Sequence, residues 1–257
     1  MRSESHLVEV FGAEEQAGQQ EVQVPVEAPL HLRVNGELAA TIMRQPGDDI
    51  ELAVGYCLTE GLIGDPSALL TVRHCETDAN IVDVLIQGEP PERPRLVGTS
   101  CMDGEELSED MLPGPLELAP ETTWRAADLF AMPPQFRDHQ EQHQLSGGVH
   151  AAALFDREAK LVVLREDVGR YAAADKVVGG CAIQKLPTAD MLLMVSGRAS
   201  SMMVVKTVRV GIPVLATMSN TSSLGLELAD RLGLTLVTYL RGKHFRVCTH
   251  PFRICQR

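Results

Sequence analysis

Three short apolar runs late in the chain, MLLMV (191–195), IPVLATM (212–218) and LTLVTYL (234–240), are separated by SSMMVVKTVRVG and SSLGLELADRLG, both of which carry helical spacing. Strands joined through helices cannot close as hairpins. They build a largely parallel sheet by crossover connections, and the helices then cover both of its faces. Upstream, VGRYAAADKVVGGCAIQK (168–185) reads as another helix, and VHAAALFD with KLVVLRE as a hairpin of strands. TTWRAADLFAMPPQFRDHQEQHQ (122–144) supplies one or two more helices. The expectation is an α/β domain over residues 123–257, a mixed sheet with helices on both faces.

The first half has a different rhythm. EVQVPVEAPLHLRV and ELAATIM alternate apolar and polar residues around Asn35-Gly36, a strong hairpin signal. PGDDIELAVGYCLTEG predicts a helix with Asp48 as N-cap, Glu51 reaching back in a capping box and Gly61 as the stop. LLTVRHC and NIVDVLIQ read as two further strands, which makes a small α+β domain over residues 21–88. Residues 1–20 are polar and without periodicity, and are expected to form a flexible tail.

Between the halves, residues 89–122 are crowded with Pro, Gly and acids, and VGTSCMDGEE sets Cys101 in the middle of them. Connections this long are functional loops or linkers, so the segment is expected to be a mobile, cysteine-bearing loop. Reactivity rather than packing accounts for a cysteine among turn formers. Asp103, Glu105 and Glu106 disfavour its thiolate, and Arg93 and Arg95 offset them.

A net charge of -12 repels nucleic acid and anionic lipid, and neither is an expected partner. No apolar run reaches the roughly 18 residues of a membrane span, and MRSESHLVEVFGAEEQ lacks a secretory apolar core, so the expected address is the cytoplasm. Six cysteines stand far apart with no C-x-x-C pair, which fits free thiols and gives no structural zinc site.

Polar and glycine residues gather where the late strands end: Ser196-Gly197-Arg198, then Ser219 to Ser222, then Tyr239-Leu240-Arg241-Gly242-Lys243-His244. Taken singly, each is a helix-start turn or a solvated hairpin corner. Together they lie at one sheet edge, the place where ligands bind in such folds, and the cations point to an anionic ligand. Asp167, Arg170, Asp175 and Lys176 fit either such a role or a solvated helix face.

G-x-G-x-x-G, the P-loop and the zinc deaminase signature are all absent, and His150 in SGGVHAAAL is read as a hydrogen-bonded core residue. The blocks VPVEAPLHLRVNGE, LAVGYCLTEGLI, SGGVHAAALF, REDVGRYAAADKVVG, SGRAS, VRVGIPVLATMSNTSSLGLELA and TYLRGKHFRV resemble, in order, those of the FdhD/NarQ family of formate dehydrogenase accessory proteins.

That resemblance implies a sulfurtransferase. It would take persulfide sulfur from a cysteine desulfurase and pass it to the molybdenum bis(molybdopterin guanine dinucleotide) cofactor needed by formate dehydrogenase. It also implies a cytidine-deaminase-like larger domain without zinc, binding of guanine nucleotide such as GDP, and a homodimer. Cys101 matches the persulfide-bearing cysteine, and Tyr239, Leu240, Arg241, Gly242, Lys243 and His244 match the stretch that holds the guanine dinucleotide cofactor. Gly104 stands where the family has a second cysteine, unless a one-residue gap shifts the register, and Tyr171 replaces a family histidine. The alternative function is a cofactor-binding chaperone for formate dehydrogenase without transfer chemistry.

Overall fold

The computed structural model describes residues 1–11, 18–91, 112–113, 118–119 and 121–256. Cys101, Arg93 and Arg95 lie outside the described residues.

The first half contains strands β1 (Ser3–Val10), β2 (Gly18–Pro25), β3 (Ala28–Val34) and β4 (Glu37–Arg44), helix α1 (Asp49–Thr59), and strands β5 (Leu69–His74) and β6 (Ile81–Ile86). β3 and β4 close on Asn35 and Gly36, at φ 50° and 89°, the left-handed pair that a two-residue hairpin requires. With β6 and β5 they form a sheet in the order β4-β3-β6-β5. Alternation turns Leu30, Leu32 and Val34 of β3, and Val82, Val84 and Ile86 of β6, into the core.

Two expectations fail here. Residues 1–20 do not form a structureless tail throughout: β1 and β2 pair antiparallel in unbroken register from Ser3↔Pro25 to Val10↔Gly18. Most of their side chains remain in solvent, so selection leaves little apolar alternation to read. The capping box does not form either. Asp48 sits at φ 56° and makes no side-chain cap; its carboxylate bonds Arg2 at 2.7 Å. Glu51 turns away to hold Arg165 through both oxygens, at 2.6 and 2.7 Å. The C-terminus is as read, with Gly61 N–H bonded to Leu58 O (3.0 Å) and Leu62 N–H to Cys57 O (2.8 Å), a Schellman stop.

The second half contains β7 (Trp124–Arg125), α2 (Ala126–Leu129), α3 (Met132–Asp138), α4 (Glu141–Ser146), β8 (His150–Phe155), β9 (Leu161–Asp167) and α5 (Arg170–Ile183). After these come β10 (Leu192–Val195), α6 (Ser201–Arg209), β11 (Val214–Thr217), α7 (Ser223–Arg231), β12 (Thr235–Arg241), β13 (His244–Thr249) and β14 (Ile254–Cys255). The main sheet runs β13-β12-β11-β10-β8-β9. Its three central strands β10, β11 and β12 are parallel, while β8, β9 and β13 run antiparallel to their neighbours. This is the expected mixed sheet.

Period-two alternation divides each strand between two cores. Leu193 and Val195 face the cluster that includes α5 and α6, and Leu192 and Met194 face Trp124, Leu129, Met132 and Phe136 of the other side. Helices therefore cover both faces. The first of these cores is continuous with the first half, because α1 lies between the four-stranded sheet and α5. The α1–α5 crossing is tight: a Cβ on Gly179 would stand 1.8 Å from Glu51 O, and one on Gly55 would stand 1.7 Å from Asp175 O. Only glycine permits that approach. Among the described residues no helix is long and apolar enough to cross a membrane.

Candidate functional site

The loops that leave β10, β11 and β12 at their carboxyl ends are joined to one another by hydrogen bonds. Met218 N–H donates to Val195 O (3.1 Å), Ala199 N–H to Asn220 O (3.1 Å), and Tyr239 N–H to Ser219 O (2.9 Å). Side chains add to this: the Thr221 hydroxyl donates to Ala199 O (2.7 Å) and the Thr217 hydroxyl to Gly197 O (2.5 Å). The result is one continuous ledge. Helices α5, α6 and α7 all begin along it, at Gly169, Ser200 and Ser222, and only the last has a side-chain cap, Ser222 Oγ accepting Gly225 N–H. Uncapped helix starts offer free N–H groups and positive dipole ends to an anion.

The structure thus brings Ser196, Gly197, Arg198 and Tyr239 to one edge, and continues it into the β12–β13 corner with Arg241, Gly242, Lys243 and His244. Leu240 differs from the rest: its side chain is fully buried in the core, so its contribution to a site is confined to its backbone. Tyr239 adopts the left-handed region at φ 54°, where a register shift separates Thr238 from Arg241. Such strain in a non-glycine residue gathers at ligand sites. Its ring carries two guanidiniums, Arg246 at 4.7 Å and Arg241 at 5.2 Å from the centroid. Among the described residues, Arg198, Arg241, Lys243 and Arg246 have no carboxylate partner. In a chain of net charge -12, these uncompensated cations make a local positive field.

At the other end of the ledge stand His150, Arg170, Tyr171 and Ser200. Tyr171 OH lies 2.6 Å from Ser200 Oγ and accepts a bond from Arg170 at 3.2 Å, which ties the starts of α5 and α6 together. The charged pattern in EDVGRYAAADK resolves differently from either reading offered for it. Asp167 and Lys176 form a buried pair at 2.7 Å, and Asp175 is buried against Lys206 at 3.0 Å. Burial pushes both carboxyls above their usual range, Asp175 to about 6. These three residues are structural, and only Arg170 reaches the ledge. His150, expected to be a hydrogen-bonded core residue, is half-buried with its Nδ1 3.2 Å from Ser196 Oγ, and its position opposite Ser196 depends on strand order.

The thiols sort by burial. Cys57 and Cys181 are enclosed, and burial pushes them up to about 12 and about 11, so both stay protonated. Cys75 is partly exposed, and hydrogen bonds from the Thr77 side chain and backbone, then from the Asp78 backbone, hold its thiol below the ordinary value, with the Arg33 cation adding least. Among the described residues no cluster of three metal-ligating side chains occurs.

The family profile of FdhD/NarQ matches residues 25–255. The chain belongs to this family. It is 40% identical over 246 residues to the Sulfur carrier protein FdhD of Mycolicibacterium paratuberculosis, covering 89% of this chain and 90% of that protein. It is 35% identical over 240 residues to the Sulfur carrier protein FdhD of Saccharolobus solfataricus, covering 90% of each. The crystal structure of a putative formate dehydrogenase accessory protein from Desulfotalea psychrophila superposes with a TM-score of 0.85 at 26% identity, over 99% of this chain and 100% of that one.

Proposed function

We propose that this chain carries sulfur for the maturation of formate dehydrogenase, taking it from a cysteine desulfurase onto Cys101 and delivering it to a molybdenum bis(molybdopterin guanine dinucleotide) cofactor held on the ledge. The observation that carries the reading is the set of unpaired cations beside Tyr239 in an acidic chain of the FdhD/NarQ family. The cofactor's pyrophosphates match Arg and Lys in charge, and guanidinium forks fit phosphate oxygens. The reading places the work in the cytoplasm, in a homodimer.

The Cys101 thiolate attacks the outer sulfur of the desulfurase persulfide, and the desulfurase cysteine leaves as a thiolate. Cys101 then bears the sulfur. With Gly104 in place of a second cysteine, no cysteine close to Cys101 in sequence can expel that sulfur as an internal disulfide forms. Release to the metal returns Cys101 to a thiolate and takes two electrons, from the metal centre or from two partner thiols that end as a disulfide.

Intact-mass measurement after incubation with a cysteine desulfurase and cysteine should show one sulfur added to the wild type and none to Cys101→Ser. Cofactor binding without sulfur uptake favours the chaperone reading instead. A disulfide from Cys101 to Cys75 would show that a distant thiol has taken over the missing partner's role.

GDP in hundredfold excess over its Kd should stabilise the chain by about 2.7 kcal/mol, which raises the melting temperature by roughly 5–10 °C. ADP should give a smaller shift, and Arg241→Ala with Lys243→Ala should abolish most of it. Equal shifts with both nucleotides would remove the guanine assignment.

A further inference from the structure

His150 opens β8 at the ledge, where a serine hydroxyl meets one of its two ring nitrogens. Its Nδ1 lies 3.2 Å from Ser196 Oγ, and that oxygen already accepts Ala151 N–H at 3.0 Å. The Ser196 N–H in turn donates to Ala151 O at 2.9 Å, so Ser196 is fixed against β8 from two directions. The hydroxyl still has its own proton to donate, and His150 Nδ1 is an acceptor within reach. A ring that accepts at Nδ1 carries its own proton on Nε2.

The surroundings keep the ring neutral and in place. Gly197 packs against it, since a Cβ there would meet His150 Nδ1 and the Cβ and Cδ of Arg170 at 3.4 Å. The groups facing it are Arg170 from α5 and His143 from α4, and burial followed by these two charges pulls its pKa below the ordinary value. Across the β8–β9 pair stands Asp167, but its oxygens are taken by Lys176, Gln45 N–H and Gly169 N–H. Nε2 has no partner among the described residues.

We propose that His150 is a specificity-determining residue whose neutral Nε2–H donates to an acceptor on the guanine ring of the bound nucleotide, with Ser196 setting the tautomer. The inference rests on the nucleotide-binding reading above and deepens it. Three strand spacings separate β8 from β12 in the sheet order, on the order of 14 Å. An extended nucleotide can bridge that distance with its phosphates on Arg241, Lys243 and Arg246 and its base at His150. A fixed N–H donor suits the guanine carbonyl and opposes the amino group that adenine has in its place.

Two measurements test this. In the free protein, nitrogen NMR of labelled histidine should show His150 neutral at pH 7 with its proton on Nε2, and Ser196→Ala should disturb that tautomer. In binding assays with GDP, ADP and pyrophosphate, His150→Ala should weaken GDP roughly three- to tenfold and leave ADP and pyrophosphate unchanged. His150→Gln, which can present an N–H near the same place, should restore part of the preference. A proton on Nδ1, an equal loss for all three ligands, or an unchanged preference for GDP overturns the proposal while nucleotide binding stands. If the wild type fails to bind GDP, the nucleotide reading itself falls, and the base contact falls with it.

Discussion

Gly179→Ala is expected to lower the melting temperature by roughly 6–12 °C, the equivalent of about 3 kcal/mol or more in a chain of this size. The new Cβ would stand 1.8 Å from the backbone oxygen of Glu51, and 2.8 Å from the backbone nitrogen of Gly55. Neither neighbour is the end of a flexible side chain. Relief requires α1 and α5 to separate, and that opens the core shared by the four-stranded sheet and the main sheet. Gly55→Ala should act in the same way, because its Cβ would meet Asp175 O at 1.7 Å. Gly64→Ala is the control: nothing lies within 4 Å of its Cβ, and its melt should stay close to wild type. A Gly179→Ala protein that melts with the wild type would show that the two helices do not cross at this contact.

The α1–α5 contact shows where sequence reading stops. Both helices are legible from their periodicity, and so is the hairpin at Asn35-Gly36, because those signals are local. Gly55 and Gly179 are unremarkable within their own helices, and their purpose exists only once the helices meet. The failed capping box has the same origin. Asp48 and Glu51 have the right spacing for a local bond, yet Arg2 and Arg165, brought in by tertiary folding, are stronger partners for their charges.

The ledge was legible for a related reason. Strand ends can be read from apolar runs, and in a sheet of parallel strands their carboxyl ends share one edge. Ser196, Gly197, Arg198, Tyr239 and Arg241 could therefore be grouped from sequence. His150 could not, because β8 enters the sheet antiparallel beside β10 and places its first residue, not its last, at that edge. Arg246 was hidden similarly, since β13 returns along β12 and brings it back over Tyr239.

Lys206→Met is expected to cost about 3–5 kcal/mol at pH 8 and distinctly less at pH 5. The Lys206 ammonium is almost fully buried, 3.0 Å from both Asp175 oxygens, 2.9 Å from Thr59 Oγ1 and 2.6 Å from Glu60 Oε1, with the Tyr56 ring alongside. Removing it leaves the buried Asp175 carboxylate without this cation in a site that also faces Cys57. Acid relieves the loss by protonating it. The wild type already shows the sign of this effect. Burial, opposed by Lys206, raises Asp175 from 3.8 to about 6, so the folded state holds that proton more tightly than the unfolded chain does. Its contribution is greatest below about pH 4 and is lost as the pH rises towards 6, by up to about 3 kcal/mol. Asp175→Asn should flatten that part of the stability profile between pH 4 and 6. Added to Lys206→Met, it should return part of the loss at pH 8 and little at pH 5. Denaturant melts of the four proteins at the two pH values would decide the matter, and an equal cost of Lys206→Met at both would show that Asp175 does not titrate in this interval.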